Sequence, residues 1–220
     1  MAQELQLSAI LCSRLCHDLV GPVSAIGNGL EFLDDGDAEM RAQAQELLAH
    51  SAEQAASRLS FFRIVFGQAG VGQISPAEAA KAARAFLDGK KIAFEWASPA
   101  GEDAAPVERK SVKLLTNLVV LVSDALVRGG AITVNTETDA TGLTASVRGE
   151  GPMVELDAPL REAYELGNGG DPHSALSQVE PRTVQAFLVP LIAADIGAEL
   201  TLSEAGVQPI EAHARIPAGG

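Results

Sequence analysis

Basic charge is scarce in this chain: 16 Lys and Arg stand against 29 Asp and Glu in 220 residues, a net charge of −13 with a pI near 4.7. Such a surface repels a polyanionic backbone, and no cluster of Lys and Arg offers a local exception, so no nucleic-acid partner is expected. Cysteine is scarcer still. Cys12 and Cys16 are the only two, which argues against a disulfide framework. With His17 they suggest a metal or redox cluster, but zinc needs more ligands, and His50, His173 and His213 bring no matching spacing. The two cysteines, four apart on one helix face, are expected as small apolar core residues. No apolar run approaches the roughly 18 to 20 residues of a membrane span, and the N-terminus lacks the basic-then-apolar layout of a signal peptide. A soluble, cytoplasmic chain with no membrane partner is expected.

What is present is apolar periodicity. Leu5, Ala9, Cys12, Cys16, Leu19, Val23, Ile26, Leu30 and Leu33 alternate steps of four and three without a break, which is a heptad seam on a helix over about residues 3 to 33. With Cys16 at an a position, His17 falls at b, outside the seam, where water and a docking protein reach it. In its neutral form such an imidazole offers a nucleophilic lone pair able to carry a phosphoryl group. Asp18 points to a different side of the helix and acts on the ring only by reaching around. Pro22 lacks an N–H and crowds the Asp18 carbonyl, so the helix should bend or loosen one turn after His17. The alternative, that Gly21-Pro22 ends the helix, conflicts with the seam continuing in phase beyond it.

Asp34-Asp35-Gly36-Asp37 make a turn, and a second helix to about Phe66 carries its own stripe at Leu48, Ala52, Ala55, Leu59, Phe62 and Phe66. Two helices have too little mutual surface to cover both stripes. Pairing with a second copy into a four-helix bundle is one solution, giving a homodimer; packing against the C-terminal part of the same chain competes with it. Two domains are therefore expected, a hairpin over 1–69 and a second unit over 75–217.

Gly67 to Gln73 reads as a linker, and Ser75-Pro76-Ala77-Glu78 as a capping box opening a helix to about Leu87. A strand near Lys91 to Trp96 follows, a loop through Ala97 to Pro106, and a long helix near Val107 to Val127 ending at Gly129-Gly130. Ile132 to Thr136 and Leu143 to Arg148 alternate like strands. After an irregular stretch come a helix near Thr183 to Ile196 and strands near Glu199 to Ser203 and Pro209 to Ile216. This order suggests an α+β sandwich with mainly antiparallel strands.

His17-Asp18-Leu19-Val20-Gly21-Pro22 resembles the H-box of two-component histidine kinases, with Asp18 at the acidic position. Gly21 stands where Thr or Asn, tied to phosphatase activity, is frequent. Residues from about Ser75 to Pro217 resemble the ATP-binding domain of those kinases, in the group with Hsp90-like and gyrase-like ATPases. Asp124 stands where the kinases have a magnesium-holding asparagine, and Gly149 replaces the aspartate that hydrogen-bonds adenine. Pro181-Arg182-Thr183-Val184 replaces the glycine-rich phosphate loop. Gly167-Asn168-Gly169-Gly170 could substitute as a cradle, or be an ordinary loop.

A phosphoacceptor hairpin followed by a histidine-kinase-like sandwich lacking its ATP-binding boxes resembles the ChpT-type histidine phosphotransferases. That resemblance implies a dimeric four-helix bundle and a phosphorelay from the receiver domain of a hybrid kinase, CckA, to the receivers of CtrA and CpdR. His17 would hold phosphohistidine, Asp18 orient it, and Arg14, one turn earlier, pair with phosphate oxygens unless it is merely solvated. Ser13, Gly21, Ser24 and Asn28 share the histidine's face and admit a receiver helix. Neither ATP nor any other cofactor is expected, nor a metal site, magnesium coming with the receiver. An ATP-dependent autokinase and a non-catalytic receiver-binding adaptor are the competing functions.

Overall fold

A computed structural model of the chain describes residues 2–35, 37–67, 73–97, 107–169 and 171–218. The expected linker over Gly67 to Gln73 and the loop through Ala97 to Pro106 lie for the most part outside these residues.

Helices α1 (Ala2–Asp35) and α2 (Ala38–Val65) form the expected hairpin. The Asp37 side chain caps α2 by accepting from the backbone N–H groups of Glu39 and Met40. α1 runs without interruption through Pro22. The seam residues Leu5, Val23 and Leu30 are 68%, 56% and 53% exposed in the single chain. Cys12 and Cys16 are exposed with them in the single chain, on the face expected to be covered by a second copy. A different stripe, Leu7, Ile10, Leu11 and Leu15, packs against the C-terminal core. α1 thus has two apolar faces. With so much apolar residue, Glu4–Leu33 is long and apolar enough by length and composition to cross a bilayer (mean hydropathy 1.3), contrary to expectation.

Short β1 (Gln73–Ile74) pairs antiparallel with β3 (Val107–Glu108). Between them lie α3 (Pro76–Leu87), capped by Ser75 Oγ accepting from Glu78 N–H as the capping box predicts, and β2 (Ile92–Ala97). Then follow α4 (Arg109–Ala125), β4 (Gly130–Asp139), β5 (Gly142–Glu150), α5 (Ala158–Asn168), the single turn α6 (Pro172–Ala175), α7 (Val184–Asp195), β6 (Glu199–Leu202) and β7 (Ile210–Pro217). The main sheet has the order β2-β4-β5-β7-β6, with β2–β4 parallel and the other pairs antiparallel. Its strands alternate buried and exposed residues, so helices cover one face only. The α+β class is as expected. The stretch expected to be irregular holds α5, whose N-cap Asp157 accepts from Leu160 N–H. Gly167 is no phosphate cradle: it lies in the last turn of α5, and a Cβ there would sit 2.2 Å from the Phe187 carbonyl of α7.

α4 is covered on nearly every side: from Ser111 to Ala125 all residues but Lys113 and Asp124 are buried. Leu114, Leu115, Leu118, Val119, Leu121 and Val122 are essentially inaccessible, each worth roughly 1.5–3 kcal/mol of burial. Sheet residues Ile132, Val134 and Val147 lie in the same core as Phe61, Phe62 and Val65 of α2. Phe61 stacks on Phe86 at 4.5 Å, and Asn117 Nδ2 of α4 donates to the Val65 carbonyl at the end of α2 (2.9 Å). The base of the hairpin is therefore rooted in the sandwich, which fixes the side of α1 that faces it.

Candidate phosphoacceptor site

α1 supplies the site from its middle turns. The His17 side chain is 83% exposed, and its Nδ1 lies 3.2 Å from Asp18 Oδ1. A carboxylate only accepts, so in the neutral ring Nδ1 holds the proton and the lone pair is on Nε2. Asp18 Oδ2 accepts from Arg14 Nε at 2.9 Å, which fixes the carboxylate that orients the ring. Both Asp18 oxygens are thereby engaged. Its backbone carbonyl is the one Pro22 leaves without a helical donor, and the Arg58 guanidinium of α2 donates to it.

Arg14 joins this turn to the sandwich. Beyond Asp18, its Nη1 donates to the Arg182 carbonyl (2.8 Å) and its Nη2 to Asp124 Oδ2 (3.4 Å). The other oxygen of Asp124 accepts from Lys90 Nζ at 3.4 Å. Burial works against the Arg14 charge, but the Asp124 and Asp18 carboxylates outweigh it and hold its pKa above the ordinary value. The side chain is only 12% exposed. Arg14 is thus not merely solvated: each of its three nitrogens donates to an acceptor of this chain, and two N–H groups, one on each Nη, remain beyond these bonds.

A cleft of about 550 Å³ opens beside His17, between α1 and the sandwich. Ser13, Arg14 and Asp18 line one side; Asp124, Leu160, Glu180, Pro181 and Arg182 line the other. The second set contains the magnesium-asparagine position and the segment standing in for the phosphate loop. Asp124 takes two cations of this chain. Arg182 pairs with Asp157. At Gly149, the adenine-aspartate position, an added Cβ would lie 2.4 Å from Val122 Cγ1 and 3.0 Å from Ile210 Cγ2, so α4 and β7 fill the space such a side chain needs. No group of three or more His, Cys, Asp and Glu with metal-binding placement occurs among the described residues.

Ser13, Gly21, Ser24 and Asn28 are all exposed around His17, and a Cβ on Gly21 would meet nothing within 4 Å. The sequence reading missed Arg58 and the joining of Arg14 to Asp124. For Arg58 a signal exists: residues equally distant from the hairpin turn face one another, which puts Arg58 within about one helical turn of the level of Asp18. No spacing rule pairs Arg14 with Asp124.

A family model described as the histidine phosphotransferase C-terminal domain matches residues 76–208. The protein phosphotransferase ChpT of Brucella abortus (strain 2308) is 33% identical over 200 residues, covering 90% of each chain. A solved structure of a bacterial phosphotransferase superposes with a TM-score of 0.78 at 31% identity, covering 96% of both chains. With the hairpin, the sandwich and the exposed H-box histidine on one chain, these likenesses span both parts of the molecule, and the chain belongs to the ChpT-type family of histidine phosphotransferases.

Proposed function

We propose that His17 is the phosphoacceptor, and that the chain relays a phosphoryl group between receiver domains, from a hybrid-kinase receiver to response-regulator receivers of the CckA to CtrA and CpdR type. The observation that carries this is the exposed His17 with Nδ1 held by Asp18 and Nε2 free. The Nε2 lone pair attacks the phosphorus of a receiver's aspartyl phosphate; the P–N bond forms as the P–O bond breaks, and the aspartate departs as a carboxylate. Nδ1–H···Asp18 stabilises the imidazolium so formed, and Arg14 holds Asp18. Transfer to the second receiver reverses these steps onto its aspartate, with magnesium brought by the receivers. Ser13, Gly21, Ser24 and Asn28 form the surface on which the receiver helix rests.

The chain acts as a homodimer in the cytoplasm and uses no nucleotide. The exposed apolar seam at Leu5, Val23 and Leu30 supports the dimer, and the closed position at Gly149 supports the absence of ATP. The test mixes the protein with a phosphorylated hybrid-kinase receiver, beside an ATP-only sample and a His17→Ala control, and follows acid-labile, alkali-stable label. Receiver-dependent label lost in the variant is expected. Label from ATP alone would make this a kinase; a receiver bound equally by both proteins without label would make it an adaptor.

A further inference from the structure

Pro22 removes the one N–H able to close the helical turn that contains His17 and Asp18, yet α1 continues through it. The freed Asp18 carbonyl is bonded by Arg58, from the facing turn of α2. Arg58 makes no other side-chain hydrogen bond and no carboxylate ion pair among the described residues, although the chain carries 29 acidic residues. A guanidinium that bonds a carbonyl in place of a carboxylate is there for the backbone. We propose that Arg58 is a positioning residue for phosphotransfer: by replacing the donor that Pro22 lacks, it holds the Asp18 turn so that the carboxylate stays between Arg14 and His17 Nδ1.

The physical reasoning is local. An unpaired carbonyl in a helix beside a proline tilts toward water and opens the turn. Opening here rotates Asp18 relative to His17, and the 3.2 Å contact that sets the tautomer is lost. Small displacements of a group that must meet a transferring phosphoryl cost rate steeply. Arg58 itself touches neither the ring nor the phosphoryl group and acts only through Asp18. The proposal rests on His17 being the phosphoacceptor, so its test includes a measurement that needs no transfer.

Pro22→Ala restores an N–H to the Asp18 carbonyl and should make Arg58 dispensable. In the wild-type background, Arg58→Ala is expected to slow receiver-to-histidine transfer on the order of tenfold, and Arg58→Lys to keep most of the rate. In the Pro22→Ala background, Arg58→Ala should cost little further. Independently, 15N spectra of the His17 ring should show the Nδ1–H tautomer losing population in Arg58→Ala and regaining it in the double variant. Equal losses in both backgrounds, or a tautomer population unchanged by Arg58→Ala, would overturn the proposal even if His17 accepts phosphate. Should Arg58→Ala not fold, an Arg58→Lys ring spectrum unlike the wild type would also overturn it, and a spectrum like the wild type would support it. Failure of His17 to accept label in any background counts against the relay and leaves the tautomer result to decide Arg58.

Discussion

Replacing Asp124 by asparagine removes one charge at nearly constant volume and exposes how the hairpin is held. In the wild type each carboxylate oxygen serves a different cation, Oδ2 facing Arg14 and Oδ1 facing Lys90, both at 3.4 Å. An amide has a single acceptor oxygen, so its NH2 group must face one of the two, donor against donor. The attraction of one pair at this separation is about 5 kcal/mol at an effective dielectric near 20, and desolvation offsets most of it. What remains is one lost charge-assisted bond and one donor–donor contact, on the order of 2–3 kcal/mol. Lys90, 32% exposed, can swing to water, whereas Arg14, 12% exposed, cannot. For a chain of this length that loss lowers Tm by roughly 5–10 °C, which thermal unfolding by circular dichroism measures. Transfer to His17 should slow in the same variant, because Arg14 also holds Asp18. A Tm within about 2 °C of wild type, with transfer unchanged, would refute the view that this ion cluster joins hairpin to sandwich.

Gly149→Asp restores the residue that the kinase pattern has but should gain no ATP binding in titration calorimetry; overpacking against Val122 should cost roughly 1–3 kcal/mol in a denaturant titration. Burial, with Glu165 nearby, raises the Tyr164 pKa above 10.0. The unfolded chain therefore releases that proton first, and stability falls as pH rises past 10.0. Tyr164→Phe should flatten the alkaline decline in urea midpoints. Val23→Glu with Leu30→Glu places charge on the exposed seam and should shift the sedimentation mass from dimer to monomer while leaving Tm near the value of an unassociated chain.

The local features were legible because their signals are local. The Ser75-Glu78 cap, the two hairpin helices and the alternation of β4 and β5 all depend on neighbours in sequence, and the exposure of His17 followed from its place beside the seam. α5 escaped notice although Asp157 and Pro159 mark its start, because Gly167 and Gly169 near its end read as a loop; the backbone of α7 passes so close that only glycine fits at position 167. Periodicity reports that a face is apolar and not what covers it, so the seam that holds Cys12 and Cys16 stands exposed in the single chain. The same limit applied to Leu7, Ile10, Leu11 and Leu15, a second face that the seam pattern overlooked.

The sequence by itself determined the family, the α+β class and the exposed place of His17 on its helix, since helical spacing and short motifs depend on a few adjacent residues. Only the tertiary structure decided that Arg14 is a buried link between hairpin and sandwich, that Asp124 accepts two cations, and that Arg58 donates to the carbonyl that Pro22 leaves open. Those outcomes depend on residues 34 to 168 positions apart meeting across packed surfaces. Contacts of that kind follow from how the helices pack, which no spacing along the chain encodes.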